Sequence, residues 1–214
     1  MARTVGSDGE LTLARIRDAA TALIARHGYE AVSMRQLAAE VGVQAAALYR
    51  YFPTKEELLF SLMKDHMEGL LASWQEERPD TNDPAARLAA FVVNHIRFHV
   101  RLRHSTHVSN MELRSLSRDR LSAILRLRSA YEKHLRAILR DGAESGDFLV
   151  EDVGLTAMAI IQMTTGVIVW FRPDERLSVE EVAETYLAMT MRLVGADTPG
   201  KRTHVHAHDE FRAG

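Results

Sequence analysis

Cysteine is absent from this chain of 214 residues. Disulfide staples, thiolate nucleophiles and thiolate zinc sites are excluded with it. With only 5 prolines and 12 glycines, the chain has too few turn residues for an all-β architecture. No Gly-rich phosphate loop, nucleophile elbow or motif-placed pair of carboxylates occurs, so neither an enzyme nor a bound cofactor is expected. Met1 to Asp8 is polar and does not read as a basic-then-apolar leader. One uncharged run, Val153 to Phe171, approaches the length of a membrane span. Thr156, Gln162, Thr164, Thr165 and Gly166 interrupt it, so it reads as a buried core helix of a cytoplasmic protein that meets no membrane.

What is present favours helix: Ala, Leu, Arg and Glu dominate. The net charge is −2 but its distribution is banded, at +2 over residues 1–55, −5 over 56–96, +8 over 97–140 and −7 over 141–214. Apolar residues recur with helical period almost throughout. Leu13, Ile16, Ala20, Leu23, Ile24 and His27 share the face of a first helix starting near Thr12 and stopping at Gly28. Ser33-Met34-Arg35-Gln36 is a capping box that opens a short second helix, ended by Gly42. A third helix runs from about Gln44 to Tyr51, and Pro53 breaks it. Thr54-Lys55-Glu56-Glu57 is a second capping box and opens a helix towards Trp74. Further helices are expected from Pro84 to about Leu102, over 104–117, over 118–144, along the uncharged run, and from the third capping box, Ser178-Val179-Glu180-Glu181, to Gly195. The expected fold is all-α with about nine helices.

Two short helices joined through Gly42, preceded by a third, form a helix-turn-helix pattern. In that geometry the later helix enters the major groove of DNA. The residues are Ile16-Arg17-Asp18-Ala19-Ala20, Gly28-Tyr29-Glu30-Ala31-Val32-Ser33-Met34-Arg35, Leu37-Ala38-Ala39-Glu40-Val41-Gly42-Val43 and Ala47-Leu48-Tyr49-Arg50-Tyr51-Phe52-Pro53-Thr54-Lys55-Glu56-Glu57-Leu58-Leu59. Together they closely resemble the N-terminal signature of the TetR family of transcriptional regulators, in register over about the first sixty residues. The resemblance implies a DNA-binding domain over 10–56 and a ligand-binding and dimerisation domain over 57–195; residues 196–214, polar and without periodicity, read as a disordered tail.

The expected DNA contacts have physical grounds. Ser33 and Thr54 place helix N-termini where phosphates dock. Arg35 and Lys55 add cations, and Tyr49 adds a phenol. Gln44 and Arg50 carry groups that pair with base edges, and the methyls of Ala45 and Ala46 suit thymine methyls. The last positions depart from the family, which often has small polar residues before Leu-Tyr. Leu37, Ala38, Val41, Leu48 and Phe52 read as core.

For the second domain the resemblance implies a four-helix dimer interface built from the last two long helices, and a ligand pocket among the middle ones. The apolar run after Ala157 and the face Val182, Tyr186, Met189 and Leu193 fit such a homodimer, and a palindromic operator needs two reading heads. The expected pocket lining is Met67, Leu70, Trp74, Phe91, His95, Phe98, Met111, Tyr131, Met158, Gln162 and Trp170, with Met63 and Leu125 beside them. The arginine-rich band suggests a polyanionic ligand, with Arg128 as its first candidate contact. Asn110-Met111-Glu112-Leu113-Arg114-Ser115-Leu116, Trp170-Phe171-Arg172-Pro173 and Leu177-Ser178-Val179-Glu180-Glu181-Val182 look like TetR-type regulators of fatty-acid and sterol-ring breakdown, which answer to acyl-CoA thioesters. The expected function is therefore a repressor of a double-stranded DNA operator, released by a small-molecule effector such as an acyl-CoA. A non-CoA apolar effector, or a helical adaptor that binds only protein, are the alternatives. His95 and His99 share a helix face at i, i+4, a spacing compatible with metal, but nothing supplies a third ligand and no metal site is expected.

Overall fold

A computed structural model describes residues 7–173 and 175–196, and every regular element in them is helical. Of the tail expected over 196–214, all but Ala196 lies outside the described residues, His204, His206 and His208 included.

Three helices make the first unit: α1 (Ser7–His27), α2 (Met34–Val41) and α3 (Ala45–Tyr51). Their apolar faces close on one small core of Ile16, Ala20, Ile24, Val32, Met34, Leu37, Ala38, Val41, Leu48 and Phe52. The Ser33 hydroxyl accepts the Gln36 amide while the Gln36 side chain accepts from Ser33 N–H, so the box read in the sequence forms. Gly42 closes α2 at φ 75°, where any other residue would be strained. A Cβ there would meet nothing within 4 Å, so the backbone angle, not space, selects glycine. Arg15 on α1 donates to Val41 O at 2.7 Å and fastens the end of α2. The first helix starts at Ser7, ahead of the expected Thr12.

The long helix α4 (Lys55–Glu77) leaves this unit and becomes part of the second. There it packs with α5 (Pro84–Arg101), α6 (Arg103–Met111) and α7 (Arg118–Ser145), followed by α8 (Val153–Thr165), α9 (Val167–Trp170) and α10 (Val179–Leu193). A short 3-10 turn, Leu113–Ser115, links α6 to α7. The central helix is α5, in contact with α4, α7, α8 and α10. Where α7 meets the following loop the chain requires Gly142, because a Cβ at that point would lie 2.1 Å from the buried Phe148 ring.

The uncharged run departs from expectation twice. Gly166 divides it into α8 and α9. It is also not a core helix of one chain, since only 28% of Val153–Trp170 is buried. Ala157, Ile160, Thr164 and Val167 face inwards, whereas Leu155, Met158, Val169 and Trp170 are exposed, as are Met189 and Leu193 on α10. The residue types showed that the run is apolar, but not which surface covers it.

Candidate nucleic-acid interface and effector site

The recognition face is formed by what α3 does not bury. Leu48 and the C-capping Phe52 anchor the helix to α1 and α2. That leaves Gln44, Ala46, Tyr49 and Arg50 exposed, with Ala45 half-buried against the core. Gln44 is the N-cap of α3 yet makes no capping hydrogen bond, so its amide is left to point outwards. Ser33 and Thr54, each at the start of a capped helix, are exposed, and so is Arg35.

Lys55 is placed differently from the expected phosphate contact. Its Nζ donates to Tyr29 O at 2.9 Å and Val32 O at 3.1 Å and sits 4.0 Å above the Tyr29 ring. Its charge is committed to the α1–α2 turn, because those carbonyls lack helical partners and the ring face attracts a cation.

The joint between the two units was not foreseen. Glu112 Oε1, just after α6, accepts the Tyr29 backbone N–H at 3.0 Å. Glu56 Oε1 accepts Ser117 N–H at 2.8 Å, and Arg120 on α7 pairs with Glu56 at 3.3 Å and Glu57 at 3.1 Å. The Ser117 bonds and the Arg120 charge hold the Glu56 carboxyl below its usual value. Arg17 on α1 pairs with Asp65 on α4 at 3.1 Å. The acidic first turn of α4 was the available signal, but distant partners such as Arg120 cannot be read from local spacing.

In the second unit Met67, Leu70, Trp74, Phe91, His95, Phe98 and Tyr131 are all buried, as is Met63. Trp74 meets Phe91 edge-on at 5.1 Å, Phe91 lies 4.9 Å from Tyr131, and His95 stacks on His99 at 4.0 Å. Met111, Leu125, Met158, Gln162 and Trp170, also expected to line the pocket, are instead exposed. Met158, Gln162 and Trp170 lie on the open α8–α9 face, and Met111 lies at the end of α6. Apolar identity alone could not separate an interior wall from an outer face.

Three histidines occupy this interior, and among the described residues none of them pairs with a carboxylate. His95 Nδ1 bonds Tyr131 Oη at 3.1 Å and its Nε2 bonds Thr165 Oγ1 at 2.8 Å, so both nitrogens are engaged. His99 Nδ1 donates to His95 O at 2.8 Å, and His66 Nδ1 meets Ser105 Oγ at 3.1 Å. Desolvation pushes His66 down to about 3, His99 to about 4, and His95 well below the usual value. Burial likewise drives the Tyr131 hydroxyl well above its usual value. Among the described residues no three His, Cys, Asp or Glu side chains gather as metal ligands.

Arg128 stands beside them. Its Nη2 donates to Ser109 O at 2.7 Å and Asn110 Oδ1 at 2.9 Å, at the end of α6. Its Nε and the nearby Ser109 Oγ are buried without a hydrogen-bond partner among the described residues. Burial lowers its pKa, and no carboxylate offsets that effect. A guanidinium so enclosed is costly without a counter-charge.

Comparison with known proteins matches these two units separately. Residues 16–62 match the bacterial regulatory proteins of the tetR family, and residues 81–194 match the tetracyclin repressor-like C-terminal domain. The chain belongs to the TetR family. It is a TetR-family transcriptional repressor with a helix-turn-helix DNA-binding domain and a helical ligand-binding domain, in a family of regulators rather than enzymes. The HTH-type transcriptional repressor KstR2 of Mycobacterium tuberculosis (strain ATCC 25618 / H37Rv) is 27% identical over 176 residues, covering 80% of this chain and 87% of that protein. A tetR-family regulatory protein from Rhodococcus RHA1 superposes with a TM-score of 0.83 at 31% identity, over 87% of this chain and 98% of the other. AibR, solved in complex with isovaleryl coenzyme A and operator DNA, superposes with a TM-score of 0.76 at 26% identity, over 81% of this chain and 95% of its own.

Proposed function

We propose that this repressor grips a palindromic operator as a homodimer in the cytoplasm and releases it when an acyl-CoA thioester occupies the second domain. The observation that carries the DNA-binding part is the outer face of α3. Its Gln44, Tyr49 and Arg50 are exposed between the capped helix starts at Ser33 and Thr54, while Leu48 fixes the helix from behind. Amide, phenol and guanidinium on a rigid helix are the groups that read base edges and grip phosphates. Arg35 joins the backbone grip, and the Ala45 and Ala46 methyls take the thymine side.

The dimer rests on the open apolar face of α8–α10. Leu155, Met158, Val169, Trp170, Met189 and Leu193 expose a surface larger than scattered apolar residues require. A second copy of the same face covers it and sets two heads for two half-sites. Residues 10–56 form the reading head, and 57–195 form the effector and dimer domain.

The effector reading is supported by Arg128, half-buried beside the aromatic interior, whose Nε is buried without a partner and which has no carboxylate partner among the described residues. An anionic group with an apolar chain satisfies both. AibR, of the same fold, was solved with isovaleryl coenzyme A and operator DNA. Arg128 holds the end of α6, and the next turn, through Glu112, holds Tyr29 of the head. Movement of Arg128 towards a ligand therefore pulls on the head, tilts α4 and alters the spacing of the two heads.

The test is a selection of bound sequences from random duplexes, followed by gel shift with and without acyl-CoA. An enriched inverted repeat, bound by a dimer and released by acyl-CoA, supports the proposal. No enrichment at low salt overturns DNA binding. Release by a sterol or free fatty acid, but by no thioester, favours an apolar effector without the coenzyme, a reading that the aromatic cluster around Phe91 and Trp74 also admits.

A further inference from the structure

A second polar cleft, apart from Arg128, lies on the outside of the effector domain. It measures about 360 Å³ and runs between α4 and α5, lined by Ser73 and Glu77 on one side and Ala90, Asn94, Arg97 and Arg101 on the other. Three observations there need an explanation. Asn94 is 7% exposed; its Oδ1 accepts the Ser73 hydroxyl at 2.7 Å, and its Nδ2 has no partner among the described residues. Arg101 has no carboxylate partner among the described residues and lies 5.6 Å from the Phe98 ring. Arg97 is held only by an exposed contact of 3.8 Å with Glu180. Such exposed pairs contribute little and are readily exchanged.

Asn94, Arg97 and Arg101 lie three and four residues apart on α5, so they share one face. They offer a buried amide donor and two guanidiniums to one cleft, with Glu77 in its lining and Glu180 at Arg97 as the facing carboxylates. An unpaired buried donor is unfavourable, and two cations on one helix face repel. Both conditions are relieved by a ligand that brings several acceptor oxygens and negative charge and takes Arg97 from its long, exposed contact with Glu180, as the fork of acceptors on a phosphate ester does. Phe98 also lines the cleft, and on its other side it meets His66 at 5.4 Å and His99 at 5.7 Å. Phe98 thus touches both this outer cleft and the histidines of the interior.

We infer that the α4–α5 cleft is the subsite for a phosphorylated part of the effector, held by Asn94, Arg97 and Arg101. The inference rests on the acyl-CoA reading above and says where the coenzyme's phosphates sit.

The experiment is calorimetric titration of the full chain with hexanoyl-CoA, palmitoyl-CoA and the matching free acids, at two salt concentrations. Comparison is with the double variant Arg97→Gln and Arg101→Gln, and with Glu77→Gln. Melting temperatures confirm that the variants fold, as expected for exposed positions. The double variant should lose about tenfold or more in thioester affinity. It should also lose part of the salt dependence while keeping its affinity for the free acids. Glu77→Gln should bind thioesters more tightly, because a like charge is removed. Equal thioester affinity in the unmodified protein and the double variant overturns this subsite and leaves the acyl-CoA reading standing. Failure of the unmodified protein to bind either thioester overturns both.

Discussion

Mild acid should destabilise this protein well before its carboxylates are neutralised. His66, His95 and His99 are buried and held neutral by desolvation, His66 down to about 3, His99 to about 4, and His95 well below its usual value. In the unfolded chain each titrates near 6.5. Between those values the unfolded chain takes up protons that the folded chain refuses, so stability falls as the pH falls. The stabilising difference is fully present above about pH 7. Its loss starts near 6.5 and continues until the folded histidines protonate. At pH 5.5 the three histidines together remove on the order of 4 kcal/mol. Set against an ordinary stability of about 5–15 kcal/mol, that is a large share. It corresponds to a fall of roughly 10 °C in melting temperature for a chain of this size. Urea unfolding followed by circular dichroism at pH 7.5, 6.5 and 5.5, at constant ionic strength, measures it. His66→Gln, whose amide can still meet Ser105, should remove about one third of the slope. A denaturation midpoint that does not move between pH 7.5 and 5.5 would refute the reasoning.

Four further outcomes follow from the same geometry. Tyr49→Ala should weaken operator binding by about tenfold while leaving ligand affinity intact, since a helix-borne phosphate contact of this kind contributes about 1–1.5 kcal/mol; gel shift and calorimetry read the two. Arg128→Ala should weaken acyl-CoA binding and spare binding to the operator, provided melting shows that the end of α6 remains folded. Met158→Glu combined with Leu155→Glu should convert the proposed dimer to a monomer in native mass spectrometry without loss of helical signal, because both side chains are exposed in the single chain. Gly142→Ala should destabilise by about 1–3 kcal/mol despite alanine's better helix propensity, because the new methyl meets Phe148; Gly146→Ala, strained only by its φ of 80°, should cost less in the same thermal melt.

The reading head was largely legible because its determinants are local. A capping box needs residues three apart, and a left-handed turn needs a glycine at one position. Ser33, Thr54, Ser178 and Gly42 could therefore be placed from the sequence without knowledge of the rest of the chain. Lys55 was misplaced because its partners, the carbonyls of Tyr29 and Val32, are more than twenty residues away. In the second domain the period of the apolar residues gave the helices but not their neighbours. Met158, Gln162 and Trp170 were assigned to a cavity wall and lie on an open face, because one apolar stripe serves a core or a partner equally well. Asn94 and Ser73 looked like ordinary helix residues, and only their meeting across α4 and α5 leaves a donor without a partner.

The ties among Tyr29, Glu112, Glu56, Glu57, Ser117 and Arg120 limit how freely evolution or an engineer can exchange parts. Two of the carboxylates belong to the start of α4, while the third and the guanidinium belong to the body that senses. A chimera that transplants a foreign head onto this body inherits DNA preference with the graft. Unless the donor also carries an acid at the position of Glu56, the graft costs Arg120 one of its two carboxylates and Ser117 its acceptor, and the hybrid recognises its new site but hears its signal less well.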